Sequence, residues 1–335
     1  MKAFLVTASG RLFYFITFLI MIDTKITSSL EEKVTTLEAF IGNTPLYEIR
    51  NVFHKPGVKI YAKLEWQQLS GSVKARPAFQ IIKQAVKTGQ LTKEKTLLDA
   101  SSGNTAIAYA ALGAALGIPV KIYLPENASA ERKRLLKAYG AEVQFTSPFG
   151  TTDEAQEEAR KAFQENPDRF FYADQYNNEN NWKAHYLNTG NEVFTQTLGT
   201  ITHFACGVGT SGTFVGTSRR LKERNPEIKL VSLHPDAALH GLEGWKHLPT
   251  AKVPGIYDSQ LANQTVSIDS SEAMDLIEAT ARKEGLLLSP SSAANLAGAI
   301  KVARQIEEGV IVTVFPDSGE RYSEVLRELF NPDFK

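Results

Sequence analysis

Thr96-Leu-Leu-Asp-Ala-Ser-Ser-Gly-Asn-Thr105 decides the architecture of this chain. A β-branched and leucine-rich run stops at hydroxyl residues, and an alanine-rich segment follows over residues 106–116, so the stretch predicts strand, loop, helix. The same order recurs along the chain. Residues 201–205 lead into Cys206-Gly-Val-Gly-Thr-Ser-Gly-Thr213 and then into helix-like residues up to Leu221. Residues 120–124, 142–145, 229–233 and 310–314 read as strands, and Gly89, Gly117, Gly140, Gly285 and Gly309 are expected to close the helical segments before them. Strands alternating with helices predict an α/β protein with parallel sheets covered by helices. At 335 residues the chain is long enough for two domains, each with its own core.

Three loops carry chemistry. At the free amides of the helix beginning near Asn104, the dipole end attracts an anion, and Ser101, Ser102 and Thr105 add hydroxyl donors, so a substrate carboxylate fits there. In the second loop, glycines let successive amides of residues 209–213 converge on a phosphate, with Thr210, Ser211 and Thr213 as further donors. Read as G-x-G-x-x-G on Gly207, Gly209 and Gly212, with Asp236 ending the next strand, that loop is also a weak dinucleotide fingerprint. The third is Ser70-Gly-Ser-Val-Lys-Ala-Arg76, where Lys74 stands among small residues. A lysine so placed reads as a Schiff-base lysine. Imine formation with an aldehyde cofactor needs the neutral amine, which burial or a neighbouring cation favours, and Arg76 is the expected cation. A fourth stretch, residues 310–321, is a buried-type strand ending in polar residues, and strand alternation lets only one of Asp317 and Ser318 face a bound ring.

At these positions the chain resembles the cysteine synthase and cystathionine β-synthase group of pyridoxal-phosphate enzymes, nearest its cysteine synthase B type. Gly42-Asn-Thr-Pro-Leu46, Lys63-Leu-Glu65, Gly71-Ser-Val-Lys-Ala-Arg76, Ser102-Gly-Asn-Thr105, Asp174-Gln-Tyr-Asn177, Gly209-Thr-Ser-Gly-Thr213 and Pro316-Asp-Ser-Gly-Glu-Arg-Tyr322 stand in the family's order and spacing. The likeness runs from about Ile41 to Phe330. Leu69, where the family has proline or alanine, and Ala75, where Asp or Cys is common, depart from it.

The resemblance implies fold type II of the pyridoxal-phosphate enzymes, the tryptophan-synthase-β-like fold, with two three-layer αβα domains and mainly parallel sheets. It implies a larger cofactor-phosphate domain over residues 36–68 plus 179–335 and a smaller mobile one over 69–178, after an N-terminal extension of residues 1–35. Pyridoxal 5'-phosphate is the implied cofactor. Lys74 would bind it, Asn104 would meet its ring hydroxyl, Gly209, Thr210, Ser211, Gly212 and Thr213 would hold its phosphate, and Ser318 would face its ring nitrogen. Ser101, Ser102, Thr105 and Gln175 would grip the substrate carboxylate. Lys246 is a candidate partner for a donor's phosphate, because some relatives that use O-phosphoserine carry a basic residue there. A serine at the ring nitrogen makes a weaker electron sink than an aspartate and favours β-elimination and β-replacement over transamination.

The expected activity is replacement of the β-substituent of an O-activated L-serine, O-acetylserine or O-phosphoserine, by sulfide or a thiol to give L-cysteine or an analogue. Lys74 would take and return the α-proton. A serine or threonine dehydratase, a cystathionine β-synthase-like activity, a dinucleotide-dependent oxidoreductase and a catalytically silent regulatory subunit are the alternatives. A homodimer is expected, with serine acetyltransferase as a candidate partner. Lys and Arg total 37 and Asp and Glu total 37, so no net field recruits nucleic acid or an anionic membrane. Cys206 is the single cysteine, which excludes an internal disulfide, and it is expected to pack at a strand end. The six histidines show no ligand spacing, so no metal is expected. The apolar run over residues 12–22 is short for a bilayer span and lacks a clear cleavage site, and an over-extended start or a dispensable extension of a cytoplasmic protein is expected there in preference to a secretion signal.

Overall fold

The computed structural model describes residues 29–330 apart from Ser102 and Gly150, so the expectations for the N-terminal extension up to residue 28 and for Ser102 lie outside the described residues. Within them the chain runs α1 (Leu30–Glu38), β1 (Leu46–Ile49), β2 (Val58–Leu64), α2 (Ala75–Lys87), β3 (Thr96–Ala100), α3 (Asn104–Leu116), β4 (Val120–Pro125), α4 (Ala130–Ala138), β5 (Glu142–Thr146), α5 (Thr151–Glu165) and β6 (Phe170–Tyr172). It continues through α6 (Glu179–Ala184), α7 (Gly190–Gln196), β7 (His203–Gly207), α8 (Gly212–Arg224), β8 (Lys229–Pro235), β9 (Gln264–Ile268), α9 (Ser270–Glu284), α10 (Pro290–Gln305), β10 (Gly309–Phe315) and α11 (Ser323–Phe330).

Two sheets result. One has the order β1-β2-β10-β7-β8-β9 and the other β5-β4-β3-β6. Every pairing is parallel except that of β1 with β2, where Leu46 stands opposite Lys63. Parallel strands need crossover helices on their faces, and the sequence supplies them. α2 buries Ala78, Phe79, Ile82, Ala85 and Val86 at helical spacing, so one face seals the core while Lys83 and Lys87 stay outward. α3 is apolar nearly all round and is buried nearly all round, as a helix between a sheet and other helices must be. α9 starts at Asp269, whose carboxylate accepts from the Ser271 and Glu272 amides, and ends at Gly285 in the left-handed region.

Two particulars differ from the sequence expectations. Gly309 closes no helix: α10 ends at Gln305, and Gly309 opens β10 opposite Val58. The boundary between residues 35 and 36 falls inside α1, whose Val34 packs in the cluster of α2, α3 and β3 with Ile82 and Leu97.

What positions the site is the direction of the strands. In parallel sheets ligands bind beyond the carboxyl ends, where the connecting loops gather. β2 ends before the Lys74 loop, β7 before the glycine-rich loop, β10 before Pro316 and β3 before Ser101. Both sheets therefore send their loops into one cleft. Among the described residues no helix is long and apolar enough to cross a membrane.

Candidate active site

A cavity of about 290 Å³ opens between these loops, and Lys74, Ser101, Asn104, Thr105, Gln175, Gly209, Thr210, Ser211 and Thr213 all line it. Residues scattered over more than a hundred positions thus meet at one place.

Lys74 caps α2 with its own backbone, directly after a strained turn in which Ser70 takes φ 66° and Gly71 φ 64°. The turn is pinned: the Val73 amide donates to Pro316 O at 2.8 Å, and Arg321 Nη2 donates to Ser70 O at 2.7 Å. A Cβ at Gly71 would run into that guanidinium, so only glycine fits there. Burial pushes the Lys74 amine below its ordinary range, with Asp317, Cys206 and Glu65 opposing the shift. Arg76 is not the cause. Its guanidinium turns away and is fully engaged, with Nε 2.6 Å from Glu65 and Nη1 2.6 Å from Glu192, while Lys63 Nζ lies 2.6 Å from the same Glu192. Two cations and two carboxylates thus neutralise one another beneath α2, and burial alone makes the Lys74 amine available.

The glycine-rich loop is built to approach an anion closely. A Cβ at Gly207 would strike the Trp245 ring, one at Gly209 the Gly244 carbonyl and one at Gly212 Asn181 Oδ1, so the three glycines are enforced by contact. Ser211 stands at φ 73°, at the N-cap of the 13-residue α8, and its buried hydroxyl has no hydrogen-bond partner. Thr210 Oγ1 accepts from Asn181 Nδ2 at 3.1 Å and Thr213 Oγ1 meets His185 Nε2 at 3.3 Å. An unmet donor at a helix amino terminus, over a close-packed turn, suits a phosphate. The residues present therefore fit pyridoxal 5'-phosphate, with Lys74 at the aldehyde end and this loop at the phosphate end.

Opposite it, Gly103 precedes α3 without any side-chain cap, which leaves the first amides of that helix to the cavity. Thr105 Oγ1 donates to Gln175 Oε1 at 2.7 Å, and Gln175 Nε2 donates to Ala100 O at 3.3 Å, so the two side chains stand together before a ligand arrives. Asn104 Nδ2 donates to Asp317 Oδ2 at 2.7 Å, and its Oδ1 accepts from Arg321 Nη1 at 3.2 Å.

Two expected site residues stand outside the cavity lining. Ser318 does not line the cavity; it is the N-cap of a short 3-10 turn, and its hydroxyl accepts from the Glu320 amide at 3.3 Å. Both Asp317 and Ser318 lie past the end of β10 at Phe315, where strand alternation no longer applies, and Asp317 does not line the cavity either. It is fully buried behind Asn104 and also accepts from the Tyr322 hydroxyl at 2.6 Å. Lys246 does not line the cavity either. Its Nζ lies 3.6 Å from Asp153 Oδ1 and 4.9 Å from the centre of the Tyr176 ring, and it is Tyr176 that faces the cavity.

Sequence reasoning missed Ser291 and Asn295 on α10, and Arg132, Glu243, Trp245 and Tyr322 at the cavity wall. Asn295 Oδ1 accepts from the Gly207 amide at 2.7 Å, and its buried Nδ2 is unpartnered. Arg132 pairs with Glu243. Cys206 packs at the end of β7 as expected, yet its thiol also borders the cavity, where burial pushes it up to about 12 and keeps it protonated.

A lysine and a phosphate cradle at the carboxyl ends of two parallel α/β sheets define a fold type II pyridoxal-phosphate enzyme, and the chain belongs to the pyridoxal-phosphate-dependent enzyme family, whose model matches residues 37–317. It is 43% identical over 294 residues to a cysteine synthase of Aquifex aeolicus, covering 86% of this chain and 90% of that protein. It is 36% identical over 293 residues to cysteine synthase B of Escherichia coli, covering 86% of this chain and 94% of that protein. The crystal structure of cysteine synthase from Entamoeba histolytica superposes with a TM-score of 0.81 at 29% identity, covering 99% of both chains.

Proposed function

We propose that this enzyme replaces the β-substituent of an O-activated L-serine with sulfide or a thiol, giving L-cysteine or an analogue. One observation carries the choice of reaction within the family. Among the described residues that line the cavity Glu243 is the sole acid, and Arg132 pairs with it. Ser291 or Asn295, which line the cavity, would then be the ring nitrogen's partner, and a partner that is no carboxylate would keep the ring a modest electron sink. The bound cofactor supplies that sink for loss of the α-proton and of the β-substituent.

The chain's own residues do the rest. Lys74, desolvated and so available as the neutral amine, holds the cofactor and then takes and returns the proton at the substrate's α-carbon. The loop of Gly209 to Thr213 anchors the phosphate, and Asn104 donates to the ring hydroxyl. Ser101, Thr105, Gln175 and the uncapped start of α3 grip the carboxylate and so fix which face of the α-carbon meets Lys74. Residues 69–178 carry this loop and close over the substrate, excluding water from the reactive β-carbon. The cysteine synthase names of the relatives support sulfide as acceptor. The family resemblance supports a cytoplasmic homodimer able to engage serine acetyltransferase.

Purified protein loaded with cofactor, given O-acetylserine or O-phosphoserine with sulfide, tests the reading by quantifying L-cysteine. Stoichiometric cysteine supports it. Pyruvate and ammonia formed at the same rate with and without sulfide would assign a dehydratase instead.

A further inference from the structure

Asn104 faces the cavity with a side chain whose two ends look alike in shape and are opposite in chemistry. An amide oxygen turned toward an ionised ring hydroxyl would repel it, and an N–H would bind it. Something must select the end. Arg321, which can only donate, takes Oδ1 at 3.2 Å, and the Asp317 carboxylate, which can only accept when ionised, takes Nδ2 at 2.7 Å. Rotating the amide by half a turn would set oxygen against carboxylate and N–H against guanidinium at once. Asp317 thus fixes Nδ2 and Arg321 fixes Oδ1, so the donor and acceptor ends of an amide that lines the cavity are not interchangeable.

We propose that Asp317 is a positioning residue that locks the Asn104 amide with its N–H toward the ring hydroxyl of the cofactor, an inference that rests on Asn104 being that hydroxyl's partner. Asp317 is held for the task from three sides. It is fully buried, its Oδ2 also accepts from the Tyr322 hydroxyl at 2.6 Å, and its backbone carbonyl accepts from Ser292 Oγ at 2.7 Å. Its Oδ1 is buried without any partner. A merely structural position would not hold half of a carboxylate unmet, because an unsatisfied buried acceptor costs about 1–3 kcal/mol. Arg321 is fixed equally well, since its other amino group grips Ser70 O in the turn that carries Lys74. The lock therefore joins the lysine loop, the carboxylate loop and the end of β10.

The test is a double-mutant cycle on the affinity of the apoenzyme for pyridoxal 5'-phosphate, followed by the cofactor's absorbance, with thermal unfolding of each apoprotein as the control for folding. Asn104→Ala should weaken binding roughly 10- to 150-fold, the loss of one hydrogen bond to a charged group. Asp317→Ala should weaken it by at least about 10-fold, and the double variant should bind no more weakly than Asn104→Ala alone, because the two residues act as one unit. Asp317→Asn keeps an oxygen for Asn104 and Tyr322 and should restore most of the affinity. Asp317→Ser replaces the alanine variant if that one does not fold. Additive losses in the cycle, or wild-type affinity in Asp317→Ala, would overturn the inference. Wild-type affinity in Asn104→Ala would overturn the reading of Asn104 beneath it.

Discussion

Asp99 is the last residue but one of β3, two residues before Ser101, and burial lifts its carboxyl from the ordinary 3.8 to about 7. The Ala100 amide donates to its Oδ1 at 2.8 Å and the Gln175 amide approaches its Oδ2 at 3.4 Å, so the group that braces Gln175 is uncharged in mild acid and ionised in mild base. A rise of that size makes ionisation in the fold cost about 4 kcal/mol at about 1.4 kcal/mol per pH unit. The sign follows from proton counts. Between about pH 4 and pH 7 the folded state holds the proton and the unfolded chain has released it, so stability falls as pH rises through that window and is level above it. From about pH 5 to about pH 8 this one group should remove about 2–3 kcal/mol. Asp99→Asn cannot ionise. Its loss of one acceptor is the same at every pH, so the difference in urea-unfolding free energy between variant and wild type should move by about 2–3 kcal/mol in the variant's favour across that interval. Parallel pH profiles for the two proteins would refute the reasoning, since they would mean that Asp99 is ionised in the fold throughout.

Three further outcomes are expected. Arg76→Met leaves buried Glu65 without its cation and should lower stability by about 3–5 kcal/mol in urea unfolding, where a loss below about 1 kcal/mol would mean that the network is not needed. Ser318→Ala should cost about 1 kcal/mol of stability and leave kcat/KM unchanged, whereas Ser291→Ala should lower kcat/KM by roughly 2- to 12-fold; the reverse ranking would restore Ser318 to the ring. Lys246→Ala should change kcat/KM for O-acetylserine and O-phosphoserine by the same factor, because Asp153 and Tyr176 already occupy its charge. A selective loss with the phosphorylated donor would show that it reaches the substrate after all.

The parts of the site legible in the sequence are those whose chemistry constrains the backbone. Gly207, Gly209 and Gly212 announce a loop with no room for a Cβ, and the Trp245 ring, the Gly244 carbonyl and Asn181 Oδ1 are what fill that room. The run over residues 310–314 announces β10 because both faces of that strand are buried. What the sequence leaves open is which of several admissible partners a side chain takes. Alternation suggests that one of Asp317 and Ser318 faces the ring, but the strand ends at Phe315 before either, and Asp317 is taken by Asn104 and Tyr322, one of which comes from the other sheet's loops. Arg76 beside Lys74 looks like its electrostatic neighbour, but Glu65 and Glu192 claim it from β2's end and α7. Ser291 follows Ser289-Pro290, a helix start that accounts for its hydroxyl-rich neighbourhood without a ligand, so nothing local marks it as facing a cavity.

Borohydride reduction of the cofactor-loaded enzyme, followed by peptide mass mapping, tests the central claim most directly, because it fixes the covalent bond before the protein is taken apart. The account predicts the reduced cofactor on the peptide containing Lys74 and on no other, and no labelled peptide from Lys74→Ala. Label on Lys63, or on any lysine outside the turn that Ser70 and Gly71 form, would contradict it.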